Sequence, residues 1–159
     1  MGKSKIKIIK LCGAGPAQYE EIKFTLKKEF SLAIENIPNV KIVPYIYNME
    51  EMMNIVDLVV ARSGAMTITE ISNVGKPAIF IPFPFATENH QEYNAKVLEK
   101  IGAAKIILDK DLNAKNLNQT IENLVQDKKK LKQMGENARS VSISQVEQKI
   151  YEEIRKTIK

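Results

Sequence analysis

The sequence predicts an α/β fold: one parallel sheet with helices on both of its faces, followed by an all-helical C-terminal part. Three observations point there. Short, β-branched apolar runs alternate with helix-spaced segments from Ile6 to about Leu108, those runs are continuously apolar, and beyond Leu108 only helical periodicity remains. A strand that is apolar on both sides has to be covered on both sides. Strand-helix-strand units with right-handed crossovers do this.

Each element has its own signal. Ile6, Ile8, Ile9 and Leu11 mark a first strand, near Lys5 to Leu11, which ends at the turn CGAGP; Tyr19, Ile22, Leu26 and Phe30 then recur at helical spacing. VKIVPYI predicts a second strand, near Lys41 to Tyr45, and NMEEMMNIV a short helix. DLVVA, from Asp57 to Ala61, is a third strand leading into a helix that begins near Ser63. PAIFIPF carries a fourth strand, Ala78 to Ile81, and the helix ENHQEYNAKVLEKIG follows it. AAKIIL supplies the last, near Lys105 to Leu108, and all five strands are expected to point their carboxyl ends to one side. In the final third, Leu117, Ile121, Leu124 and Val125 form one helical face and Val146, Ile150, Ile154 and Ile158 another. These helices are expected to pack back on the sheet, or the terminal one on a neighbour.

Composition bounds the chemistry. A chain of 159 residues is one domain of ordinary size, able to bury roughly 70% of its unfolded surface without disulfides. One cysteine, Cys12, and one histidine rule out an internal disulfide, a CxxC site and a histidine-based metal cluster, so neither metal nor cofactor is expected. No apolar run approaches the roughly 18 to 20 residues of a membrane span, and MGKSKIKIIK alternates lysine with isoleucine, unlike a signal core. A cytoplasmic location is expected. The net charge of +5 is compatible with nucleic acid, phosphate groups or an anionic membrane surface. The densest run, Lys128 to Lys132, has no interleaved aromatic residue for base stacking and reads as a solvated face, with membrane headgroups as the next reading, so no nucleic-acid partner is expected.

In an open parallel sheet ligands bind beyond the carboxyl ends of the strands, where helix N-termini present free N–H groups. Two turns fall there. ARSGAMT follows the strand DLVV, and the small side chains of Ser63, Gly64 and Ala65 let a ligand approach the backbone. PFPFATENHQ follows AIFI, its prolines stiffening a loop that delivers polar residues to the next helix start. Thr67 to Glu70, TITE, fits a capping box with Thr67 at the N-cap. If the helix instead starts near Ser63, Thr67 and Glu70 share one face of its first turns, and the carboxylate can accept two hydrogen bonds from a vicinal diol such as a ribose. His90, Gln91 and Asn94 cluster neutral donors and acceptors suited to sugar hydroxyls, although a lone histidine there also reads as a cap. CGAGP reads as a tight turn, with no GxGxxG or GxxxxGK[ST] present.

The run RSGA, TxxE, GxPxxxIPxP, HQxxNA, in this order and spacing, resembles the donor-binding half of the bacterial peptidoglycan GlcNAc transferases of the MurG family. These GT-B enzymes move N-acetylglucosamine from UDP-GlcNAc to lipid I, the undecaprenyl-pyrophosphoryl-MurNAc-pentapeptide. The resemblance implies a Rossmann-like sheet forming the C-terminal half of a GT-B fold, with Ala65, Met66 and Thr67 at the nucleotide and phosphates. It also implies that Glu70 holds the ribose hydroxyls and that His90 and Gln91 contact the GlcNAc ring, supported by Asn94. The family's domain opens with a further, interior strand carrying a GGSxGA phosphate loop, and this chain has no such segment; CGAGP resembles the turn after the strand that follows. The acceptor domain is absent as well, so residues 1–159 are expected to be a UDP-GlcNAc-binding half, with the catalytic base and lipid I recognition in the other half. The complete enzyme is expected to sit peripherally on the cytoplasmic face of the membrane, at an anionic surface. Two further readings stand beside it: the catalytic subunit of a two-chain GlcNAc transferase, where a GGSxGA-like loop would be present, and a non-catalytic nucleotide-binding module, where TxxE and HQxxNA would not.

Overall fold

The structure is a computed structural model and describes residues 8–11, 20–21, 24, 28, 41, 43–142 and 146–158. Among the described residues four strands form one sheet in the order of the chain: β1 Ile8–Leu11, β2 Leu58–Ala61, β3 Ala78–Phe80 and β4 Ala104–Ile106. All three pairings are parallel, with Ile8 opposite Leu58, Val59 opposite Ala78, and Ala78 opposite Ala104. From residue 43 on, the described α-helices are α1 Met49–Ile55, α2 Ala65–Val74, α3 His90–Lys100, α4 Ala114–Val125, α5 Lys128–Ser140 and α6 Val146–Thr157. The parallel α/β reading therefore holds.

The continuously apolar strands sort their side chains by alternation. Val59, Ala61, Ala78 and Phe80 enter one buried cluster with Met53, Ile71, Ala95 and Leu98, from α1, α2 and α3. Leu58, Val60, Ile79 and Ile81 enter the other, with Leu124 of α4 and Leu131 and Met134 of α5. Both faces are thus dry, which is why polar residues are missing from β2 and β3. At roughly 25 cal/mol per Å² of apolar surface, each fully buried leucine or isoleucine contributes on the order of 1.5–3 kcal/mol.

Three expectations need correction or placing. The stretch Lys41 to Tyr45 is not a strand among its described residues, 41 and 43–45. Pro44 has no N–H to give a ladder, which disfavours a central-strand position. The strand β1 lies directly beside β2, with Leu11 opposite Ala61. The residues before Ile8, the turn CGAGP and the face Tyr19, Ile22, Leu26 and Phe30 lie outside the described residues, although residues 20, 21, 24 and 28 are helical. Of the closing helices, α4 and α5 pack on the sheet as expected, whereas Ile150, Ile154 and Ile158 at the C-terminal end are at least half exposed.

One close approach organises the amino-terminal end of the sheet. Helix α2 ends at Gly75, whose left-handed backbone (φ 65°) lets the Lys76 N–H reach back to the Ile71 carbonyl. Gly135 of α5 packs against that cap so tightly that a β-carbon on it would stand 2.5 Å from the Gly75 carbonyl oxygen.

Candidate functional site

The carboxyl ends of β2 and β3 open into the two turns singled out above. After β2, Arg62, Ser63 and Gly64 lead to α2, which starts at Ala65 with Gly64 as its N-cap and no side-chain cap. Its first helical hydrogen bond runs from the Ile68 N–H to the Gly64 carbonyl. The N–H groups of Ala65, Met66 and Thr67 precede that bond and have no acceptor within the helix. No acidic residue occupies this first turn, and a β-carbon on Gly64 would meet nothing within 4 Å. An uncapped helix start beside open space is suited to an anion.

This start also decides between the two readings of TITE. Thr67 lies inside α2, three residues past the cap, so it is not the N-cap of a capping box. Ser63 cannot cap either, because it is fully buried and its Oγ donates to the Gln91 carbonyl at 2.7 Å. Glu70 follows one turn after Met66 and Thr67, exposed, as is Met66. The reading in which Thr67 and Glu70 share the first turns of one helix face matches this geometry, with the start two residues later than Ser63.

The second turn runs from Ile81 to His90. Phe83 and Phe85 meet edge to face, centroids 5.7 Å apart, and Phe85 is largely exposed. Glu88 and Asn89 both have left-handed backbone, φ 51° and 55°, an unusual state for side-chain-bearing residues. That kink breaks the helix predicted from Glu88, so α3 proper begins at His90. His90 Nδ1 meets the Thr87 carbonyl at 2.8 Å, and because a carbonyl only accepts, Nδ1 carries the proton. Nε2 of this exposed ring is then the acceptor in its neutral form. Gln91 Oε1 accepts from the Phe83 N–H at 3.1 Å, which leaves its amide N–H₂ as the free end. Asn94 Nδ2 donates to the Ser63 carbonyl at 3.3 Å. Beside them Glu92 bonds Lys96 at 2.6 Å and accepts from Asn89 Nδ2 at 2.8 Å. The Lys96 hydrogen bond, then the Asn89 one, hold the Glu92 carboxyl below its ordinary range; the same contact raises Lys96.

The structure thus brings Ser63, Gln91 and Asn94 into direct contact and puts Gly64, Ala65, Met66, Thr67 and Glu70 on the adjoining helix start. Sequence reasoning gives no role to Arg62 and Asp109. Arg62 Nη1 donates to the carbonyls of Ile81 (3.1 Å) and Pro82 (3.0 Å) and to Asp109 Oδ1 (2.6 Å), with its guanidinium 5.6 Å from the Phe83 ring centre. The signal for it in the sequence is an arginine placed directly after an apolar strand, at the carboxyl edge of the sheet.

Comparison with known proteins places this geometry. Residues 1–153 match the model of the glycosyltransferase family 28 C-terminal domain. The UDP-N-acetylglucosamine–N-acetylmuramyl-(pentapeptide) pyrophosphoryl-undecaprenol N-acetylglucosamine transferase of Acetivibrio thermocellus is 41% identical over 157 residues, which cover 99% of this chain and 41% of that protein. The transferase of the same name from Desulforamulus reducens is 43% identical over 131 residues, 82% of this chain and 35% of that protein. The chain spans about two-fifths of the length of these curated relatives. A crystal structure of Acinetobacter baumannii MurG superimposes with a TM-score of 0.79 at 26% identity, covering 98% of this chain and 51% of that one. The glycotransferase of kitacinnamycin, at 16% identity and a TM-score of 0.60, shares the fold. The parallel sheet, the two turns at its carboxyl edge and the match over residues 1–153 agree: the chain belongs to the glycosyltransferase family 28 C-terminal domain family.

Proposed function

We propose that this chain is the UDP-GlcNAc-binding half of a transferase that moves GlcNAc from UDP-GlcNAc to lipid I, forming lipid II in peptidoglycan synthesis. The observation that carries the reading is the 41% identity to a transferase named for this reaction over 99% of the chain. The geometry supports it, because the motif residues lie on two adjacent helix starts at the carboxyl edge of the sheet. In this reading the free N–H groups of Ala65, Met66 and Thr67 receive the pyrophosphate and the Glu70 carboxylate accepts from the two ribose hydroxyls. His90, through Nε2, and Gln91, through its amide N–H₂, meet the GlcNAc ring, and Asn94 fixes the Ser63 turn beneath them.

Transfer needs a base for the acceptor hydroxyl and stabilisation of the departing UDP. The second belongs to this half: as the bond from the anomeric carbon to the diphosphate breaks, negative charge grows on the β-phosphate, and fixed N–H donors at a helix start need no reorganisation to receive it. The base, lipid I and the contact with an anionic membrane surface are assigned to the remaining length of the complete enzyme, at the cytoplasmic face. Among the described residues no helix is long and apolar enough to cross a membrane.

Glu70 tests the reading. A charged acceptor makes hydrogen bonds worth about 1.5–3 kcal/mol, so Glu70→Ala is expected to weaken UDP-GlcNAc binding by about ten- to a hundredfold, and Glu70→Gln by less. Glu70 is exposed and past the helix start, so neither change should move the thermal midpoint appreciably. Titration of UDP-GlcNAc into both variants, followed by NMR, reads the affinity. Unchanged affinity in Glu70→Ala would overturn the assignment.

A further inference from the structure

The Gln91 side chain is held through the bond that its Oε1 accepts from the Phe83 N–H, so its direction depends on where the loop places that N–H. The loop cannot set itself. Its far end passes through two left-handed residues, Glu88 and Asn89, a conformation that persists only where the surroundings impose it. Its near end is gripped by Arg62, which bonds the carbonyls of Ile81 and Pro82, the two residues immediately before Phe83, and lies against the Phe83 ring. Asp109, from beyond β4, holds the guanidinium in turn.

We propose that Arg62 is a positioning residue for sugar recognition, fixing the Phe83 N–H and through it the direction of the Gln91 amide. The inference rests on the nucleotide-sugar reading above. The guanidinium suits the task because its Nη1 reaches three acceptors and its plane lies near an aromatic ring, tying two segments, Ile81–Phe83 and Asp109, to one side chain. The neighbouring Ser63, whose Oγ and carbonyl bond Gln91 and Asn94, fixes the backbone of α3 but not the Gln91 amide. Arg62 therefore acts on sugar discrimination rather than on the nucleotide.

The test compares the affinities of this chain for UDP-GlcNAc and for UDP in the parent, Arg62→Met, Gln91→Ala and the double variant. Gln91→Ala is expected to weaken UDP-GlcNAc about tenfold and UDP less than about twofold, as loss of one sugar hydrogen bond requires. Arg62→Met should reproduce about three- to tenfold of the same sugar-dependent loss, and the double variant should bind no more weakly than Gln91→Ala alone, because the two changes break one chain of contacts. An unchanged UDP-GlcNAc affinity in Arg62→Met, equal losses for UDP and UDP-GlcNAc, or losses that multiply in the double variant would overturn the proposal. If Arg62→Met does not fold, Arg62→Gln, which keeps a polar side chain too short to reach the loop carbonyls and Asp109 together, takes its place in the cycle, and the same three outcomes overturn the proposal. A parent chain that does not bind UDP-GlcNAc overturns the nucleotide-sugar reading and the role of Arg62 with it; a parent that binds, with uncoupled variants, overturns the role of Arg62 alone.

Discussion

Glu92 shows how a single residue can brace a helix start. It bonds Lys96 one turn on and receives the Asn89 amide, so the carboxylate closes the kink that precedes His90 and Gln91. Its folded pKa is lowered, so the contribution is fully present above its ordinary value of 4.5 and is lost as pH falls through the depressed value. Lys96 is raised, so its share is present below its ordinary 10.5 and fades only as pH climbs past that. The brace is therefore intact at neutral pH and opens from the acid side. In Lys96→Met the Glu92 carboxyl, followed by carbon NMR against pH, should titrate at a higher midpoint than in the parent; an unmoved midpoint would contradict the pairing. Residue types at the site are readable in the sequence: small residues, a Thr–Glu pair, a His–Gln–Asn group. Their connections are not, because Arg62 reaches Pro82 and Asp109 across 20 and 47 positions, and no local pattern encodes such a convergence.

At the scale of elements, legibility follows the strength of the periodic signal. The sequence places β2 and β3 to within a residue at each end, since burial on both faces forces an uninterrupted apolar run. VKIVPYI carries the same apolar signal, and there the proline is the better guide. TITE matches a capping box, yet α2 begins earlier, because the burial of Ser63 leaves Gly64 as the residue that turns into the helix. The contact of α5 with the cap of α2 is invisible for a related reason: a glycine in mid-helix usually signals weakness, whereas Gly135 is there for lack of room. Replacing it by alanine would gain up to about 1 kcal/mol of helix propensity but place a β-carbon 2.5 Å from a backbone oxygen that has no rotamer to escape into. The steric cost, typically about 1–3 kcal/mol for overpacking and occasionally more, wins. Urea unfolding of Gly135→Ala should show a net loss of stability, with Glu136→Ala, exposed on the next position, close to the parent.

At the scale of the molecule, the proposed function divides a two-substrate reaction and gives this chain the donor side. With the acceptor and its base assigned elsewhere, this chain alone is expected to give no GlcNAc transfer to lipid I under conditions in which it binds UDP-GlcNAc; radiolabelled transfer above background would refute the division of labour. The register of the sheet also bears on how the chain assembles. β2 joins β3 and β3 joins β4 across single helical crossovers, whereas Ile8 must find Leu58 across a far longer stretch of chain. Closing the longer loop costs more entropy, and pairings of large sequence separation form late. β1 is therefore expected to be the last strand to zip onto the sheet and the first to leave it. In native-state hydrogen exchange the Val59 amide, which donates to the Pro77 carbonyl on the β3 side, should exchange only with global unfolding, while those linking Ile8–Leu11 to β2 should open at lower free energy, giving the protein a partially unzipped state in which β2, β3 and β4 persist without β1.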